Sequence, residues 1–382
     1  MNLAERLQSV RKRRGLTQKD LAFHSGVSLS LIRKLEQGER EDTRLETLRK
    51  LAKSLQVSTS DLIIRPEPGE ITSGEWESIR DALLGLNGRP DEMPTAAGVA
   101  GAVEAAEVLF TDNRFDELGE LLPALLRDVL ALGDGERQLR SRGVHLAAHL
   151  LIMARQFAAA EIALRRALDD APGRFEEAAI INTRCWLLMR QGDLAGTLDL
   201  AVRWADEVEP RVSRATPEEL ATWGGLLLRV STAASRNNEP GESADALRFA
   251  QAAAVALRIE WAPPSDPLRE FGPVAVATRR AENYMIEDRP DRVLELAAKI
   301  PRSGFRARAS SRNRHRLDVA KANMRLHRYA DSFEILKEVR VTSPEWIDKQ
   351  PMARDILGQI VAKRRTLTSD MRELADFIHL EY

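Results

Sequence analysis

The chain of 382 residues has a single cysteine, Cys185, so no intramolecular disulfide can brace it. Aromatic residues make up only 5% of it, and no unbroken apolar stretch is long enough to span a bilayer. Met1 runs into a helical pattern without an apolar signal region, so a soluble, cytoplasmic protein is expected. The signatures of catalysis are also missing. No glycine-rich phosphate loop follows a strand, no GxSxG turn occurs, and spacing singles out no pair of acids, so no enzymatic activity and no cofactor is expected. His145 and His149 lie four apart on one predicted helix, a spacing that lets two imidazoles reach one zinc. No cysteine or nearby acid completes the set, and no metal site is assigned. Cys185 beside Trp186 reads as a small core residue, and Trp186, Trp204 and Trp223 as core aromatics.

What the chain does have is an uneven distribution of charge. Residues 1–65 hold 14 Lys and Arg against 8 Asp and Glu, whereas the remainder holds 43 against 50. A cationic head on an anionic body is the distribution expected when only the head meets phosphate.

Within the head, residues 15–38 read GLTQKDLAFHSGVSLSLIRKLEQG. Thr17 is placed to cap a helix from Gln18 to about Ser25, Gly26 to end it with a positive φ, and Ser28 to cap the next. Val27, Leu31, Ile32 and Leu35 form the apolar stripe of that second helix, leaving Leu29, Ser30, Arg33 and Lys34 outward as candidate base readers. An amphipathic helix from Leu3 to about Arg14 precedes the pair. A helix carrying Leu45, Leu48, Leu51, Ala52 and Leu55 follows it, and Ser60 to Ile64 is predicted as a fifth.

Five short helices, with "TQ" opening the second and "LEQGE" ending the third, resemble the lambda-repressor and Cro-like DNA-binding family, often called the XRE family, over residues 2–64. The resemblance implies that Gln18 and Ser28 lie at the DNA, that Gln18 holds a phosphate, and that Leu29, Ser30 and Lys34 face base edges with Arg33 between bases and backbone. It also implies a structural bracket between Arg11 and Glu36. Arg40 and Arg44 fall where the family's following loop touches phosphate, although Glu39, Glu41 and Asp42 make this loop acidic. Leucine at position 29 can offer only apolar contact to a thymine methyl, and Lys34 prefers guanine. A bundle used only for protein contact is the alternative.

Residues 66–75 read as a linker at which the head is hinged, since RPEPGEITSG (65–74) has two prolines and two glycines. Beyond a polar break at Asn87 to Thr95, residues 76–382 have helical period. From Ala147 to Pro172 the order Ala147, Ala148, Leu151, Phe157, Ala160, Leu164, Ala167, Leu168, Pro172 resembles a tetratricopeptide repeat. A degenerate copy carries Gly192, Leu194, Ala201, Ala205 and Pro210, and another ends at Tyr329, Leu336, Val339 and Pro344. Ala244 to Leu257 and Val293 to Pro301 read as second helices of weaker units. The fold class is therefore all-α, a five-helix Cro-like bundle followed by a tetratricopeptide-like α-solenoid that serves sensing and dimerisation.

Two places in the body are candidates for an effector. RSGFRARASSRNRHR, from Arg302 to Arg316, has six arginines and no acid, and its Arg302, Arg306, Arg308 and Arg312 suit an anion; a solvated helix start is the alternative. WAPPSDPLREFGP, from Trp261 to Pro273, has four prolines, with Trp261 the candidate contact; an aromatic pair pinning the loop is the alternative. A Cro-like head on such a body resembles peptide-responsive quorum-sensing regulators of Gram-positive bacteria and large actinobacterial regulators of this architecture. The resemblance implies a homodimer on an inverted-repeat operator, with DNA binding modulated by a peptide or small molecule. The competing reading is a scaffold that docks a partner protein through its solenoid.

Overall fold

The computed structural model describes residues 3–40, 43–63, 76–86, 88, 90, 92–300, 309–364 and 366–381. Among the described residues it is built of α-helices, with no named strand and one isolated antiparallel bridge, Trp261 to Phe271.

The head comprises α1 (Leu3–Arg13), α2 (Gln18–Ser25), α3 (Leu29–Glu36) and α4 (Leu45–Leu55). Local chemistry sets these boundaries. The Thr17 hydroxyl accepts from the Asp20 amide while the Asp20 carboxylate accepts from the Thr17 amide, a reciprocal cap that satisfies two orphan donors. Gly26 ends α2 at φ 66°, and the Ser28 hydroxyl accepts from the Leu31 amide to start α3. Leu7, Leu21, Ile32, Leu35, Leu51 and Leu55 are fully buried between these helices. Each such side chain contributes about 1.5–3 kcal/mol relative to exposure. The predicted fifth helix is only a 3₁₀ turn, Thr59–Asp61. Its hydroxyls and amides bond to the body, as described below, instead of continuing a helix, and residue 64 lies outside the described residues.

The body begins with α5 (Glu77–Leu84) and continues as six helical pairs: α6 (Ala96–Thr111) with α7 (Phe115–Ala131), α8 (Arg137–Met153) with α9 (Phe157–Asp169), α10 (Arg174–Arg190) with α11 (Leu194–Glu207), α12 (Pro217–Arg236) with α13 (Pro240–Leu257), α14 (Pro273–Ile286) with α15 (Pro290–Ala297), and α16 (Ala309–Arg325) with α17 (Tyr329–Thr342). Three shorter helices close it, α18 (Pro344–Asp348), α19 (Pro351–Val361) and α20 (Ser369–Phe377). Every pair turns through one residue with positive φ at the same structural place: Asn113, Arg155, Gly192, Asn238, Asp288 and His327. The first helices of successive pairs stack on one another as an inner row, and the second helices pack outside them.

The sequence-predicted repeat from Ala147 to Pro172 is the pair α8–α9, its degenerate copy is α10–α11, and the copy ending at Pro344 is α16–α17. Small residues permit the close approach. A Cβ on Gly224 of α12 would lie 2.0 Å from the ring of Phe271, so the ring sits where any larger residue would be. This also fixes the proline-rich loop. Trp261 and Phe271 exchange backbone hydrogen bonds of 3.0 Å, and Trp261 packs half-buried on the core around Trp223. The superhelix returns on itself, because the Asp116 amide at the start of α7 donates to Glu345 of α18 at 3.0 Å. Residues of both ends share one hydrophobic cluster, with Phe115 and Leu118 alongside Leu336 and Trp346.

Candidate nucleic-acid interface

The second and third head helices cross as a helix-turn-helix pair whose rigidity comes from one buried bracket. The Arg11 guanidinium donates from Nε to Glu36 Oε1 at 2.6 Å and from an Nη to Oε2 at 2.7 Å. The other Nη reaches the Leu16 carbonyl at 2.7 Å. Both residues are buried, and the hydrogen bond to Glu36 raises the Arg11 pKa further above its ordinary value despite the opposing effect of burial. The bracket ties α1 to the end of α3, so the exposed face of α3 is presented on a fixed support.

On that face Ser30, Arg33 and Lys34 are exposed and Leu29 is half-buried. Neither Arg33 nor Lys34 forms an ion pair among the described residues. Ser28 is spent locally as the α3 cap. Gln18 lies at the start of α2, but its amide donates to Glu36 Oε2 at 2.8 Å, so it acts at least in part as a third member of the bracket. Arg40 is exposed just beyond α3. Arg44 is turned toward the body, where it pairs with Asp355 of α19 at 2.9 Å.

The Arg44 pair belongs to a wider contact between head and body. Arg49 of α4 donates to two helix-end carbonyls, Ser235 of α12 at 3.1 Å and Ile286 of α14. Carbonyls in the last turn of a helix lack intrahelical partners and carry the negative end of the helix dipole, so a cation is well placed there. The Ser60 hydroxyl donates to Asn237 Oδ1 at 2.6 Å, the Thr59 hydroxyl to the Arg236 carbonyl at 2.8 Å, and the Asn238 amide to the Arg49 carbonyl at 3.2 Å. Glu46 accepts from Lys321 at 2.9 Å and from Arg325, both on α16. Burial pushes the Glu46 carboxyl up, but Lys321, Arg325 and Lys50 outweigh it and hold the group at about 2. The predicted linker lies within the undescribed residues 64–75. The head also contacts the C-terminal ends of α12, α14 and α16 through polar groups that sequence reasoning did not find. Their one local signal is the pair Asn237–Asn238, asparagine being tolerant of the left-handed turn found at 238.

Residues 7–62 match the family described as Helix-turn-helix. A relative, the HTH-type transcriptional regulator DdrOP3 of Deinococcus deserti, is 34% identical over 105 residues, covering 26% of this chain and 81% of that protein. The chain belongs to the helix-turn-helix family. No solved structure matches it. In this helix-turn-helix protein the match leaves most of the helical-repeat body outside the shared region.

The candidate effector residues are placed differently from one another. Arg302, Arg306 and Arg308 lie outside the described residues. Arg312 is half-buried near the start of α16. Of their neighbours, Arg314 is turned inward to Glu282 at 3.3 Å and Arg316 pairs with Glu338, so the described part of this run is not a uniform solvent-facing cation patch. Trp261 serves the loop bridge described above. His145 and His149 direct their Nε2 atoms at one hydroxyl, that of Thr183, at 2.8 and 3.1 Å. Burial and the nearby Arg269 push His145 down to about 3. Cys185 is buried, and that burial raises its thiol to about 11. No helix among the described residues is long and apolar enough to cross a membrane.

Proposed function

We propose that this chain is a sequence-specific transcriptional regulator that binds an inverted-repeat operator as a homodimer, with α3 in the major groove and a tetratricopeptide-like body that senses a peptide or small molecule. The observation that carries this reading is the face of α3. Ser30, Arg33 and Lys34 stand toward solvent, with Leu29 half-buried beside them, on a helix fixed by Arg11 and Glu36. The printed name of the Deinococcus relative supports it. Helix-turn-helix dimers read half-sites about 34 Å apart on one face of B-DNA, so anything that moves the head on the body alters whether two heads fit.

The head–body contact makes this reading specific. Arg44, which the family resemblance puts at phosphate, is here paired with Asp355. Binding to DNA in the family's manner would exchange that pair for a phosphate. The test is binding of the full chain to genomic fragments, followed by footprinting of the enriched sites. Protection of two half-sites one helical turn or a multiple apart supports the reading. Binding that lacks sequence preference at all salt concentrations refutes it.

A further inference from the structure

The body carries an excess of acid, yet its inner row of helices gathers arginines at the level just above the head contact. Arg236 of α12, Arg279 of α14 and Arg314 of α16 converge on Glu282, with Arg236 at 2.7 Å and Arg314 at 3.3 Å. Asp318 is the second acid, 3.8 Å from Arg314 Nε and 2% exposed. Burial pushes its carboxyl up to about 6, which weakens it further as a counter-charge. Two more arginines on the same row form no ion pair among the described residues. Arg229 of α12, 6% exposed, donates only to the neutral Asn182 side chain, at 3.1 and 3.2 Å. Arg190 of α10 has a buried Nη with no hydrogen-bond partner. Of these five arginines Arg229 is buried and the others half-buried, and the acids that pair with them are Glu282 and Asp318; a cation withdrawn from water without a partner costs several kcal/mol in general terms.

Burial lowers the pKa of both Arg190 and Arg229, with neighbouring arginines adding to it, as expected of cations crowded together without a partner. Guanidinium forks with free donors match oxyanions in geometry as well as charge. We propose that the inner row around Arg190, beside Arg236 and Arg314, is a binding site for a compact oxyanion, the phosphate or carboxylate group of a small molecule. This rests on the reading of the body as a sensor and narrows its ligand class. It also supplies a route to the head. The helices that carry Arg236, Arg279 and Arg314 present the Arg49, Ser60 and Glu46 contacts at their C-terminal ends, within one to three turns of the cluster.

The test is thermal unfolding of the full chain with inorganic phosphate or succinate, each against sodium chloride at matched ionic strength. An anion at about tenfold its Kd should raise Tm by about 2 °C or more beyond chloride. Phosphate alone would assign a phosphate ester and succinate alone a dicarboxylate; response to either supports the site. Arg190→Met should abolish the rise while leaving Tm without anion equal to or above that of the parent, because the lost group has no partner. Arg190→Gln serves if the apolar side chain prevents folding. No rise beyond chloride, or a rise unchanged in both variants, overturns the proposal. Operator affinity measured with the stabilising anion separates the two readings. An anion-specific Tm rise with unchanged DNA affinity keeps the site and removes the sensor role.

Discussion

The head and the body place arginine in opposite settings. In the head, Arg33 stands in water beside Lys34 with no ion pair among the described residues, and the one buried arginine, Arg11, is matched by a bidentate carboxylate. In the body, Arg229 is buried against the neutral Asn182 and the half-buried Arg236 and Arg314 share one carboxylate, Glu282. The difference separates structural from exchangeable charge. A buried cation with its own carboxylate is a fixed brace, and either an exposed cation or a buried one without a carboxylate is available to an anion from outside. Net charge alone gives the opposite impression, since the part with excess acid holds the arginine cluster.

The brace predicts the largest effect. Glu36→Ala strands the Arg11 charge and frees the Gln18 amide, at a cost of about 3–5 kcal/mol. Thermal melting of the full chain should show the head unfolding before the body, with DNA binding lost; a cost under about 1 kcal/mol would break the distinction drawn above.

The body has a different sensitivity, to acid. His145 has a folded pKa depressed to about 3, by burial first and Arg269 second, against about 6.5 when unfolded. The unfolded state then binds more protons in the window between these values, so stability rises with pH there. Lowering pH from 7 to 5 should cost about 2 kcal/mol through His145 alone. Denaturant midpoints at the two pH values check this, and His145→Gln should reduce the dependence, the remainder belonging to His149, which burial also holds well below its ordinary value.

Smaller effects concern DNA. Lys34→Ala should weaken specific binding by about 1–3 kcal/mol and relax base selectivity, as judged by competition between operator and scrambled duplex. Arg44→Ala should leave thermal stability within about 1 kcal/mol, because its pair with Asp355 is largely exposed. Its effect on DNA decides which partner Arg44 prefers. Weaker binding to all sequences, with a shallower salt dependence, marks a phosphate contact, whereas unchanged binding leaves Arg44 a contact to the body.

Much of the head was readable because its determinants are local. Thr17, Gly26 and Ser28 act within four residues of themselves, and the Arg11–Glu36 bracket followed from resemblance. The repeats were readable from small residues and prolines, but their turns were not. Only Gly192 among the six turn residues is a glycine, the others being Asn113, Arg155, Asn238, Asp288 and His327. The fifth head helix was overread, because Thr59 and Ser60 spend their polar groups on Arg236 and Asn237, which are about 180 positions away. The inner arginines were missed for the same reason. Arg236, Arg279 and Arg314 each lie on a separate helix, and only the superhelix brings them to one carboxylate, Glu282. The arginine run that did stand out, 302–316, contributes Arg314 to that cluster but turns Arg316 toward Glu338.

The central claim, that the exposed face of α3 reads DNA sequence, is tested most directly by capture of genomic fragments with the full chain and with Lys34→Ala in parallel. The account predicts discrete inverted-repeat sites for the parent chain, with the variant losing them or shifting its preferred base at one position in each half-site. Identical sites for both chains, or salt-sensitive binding without preferred sites in the parent, would contradict it.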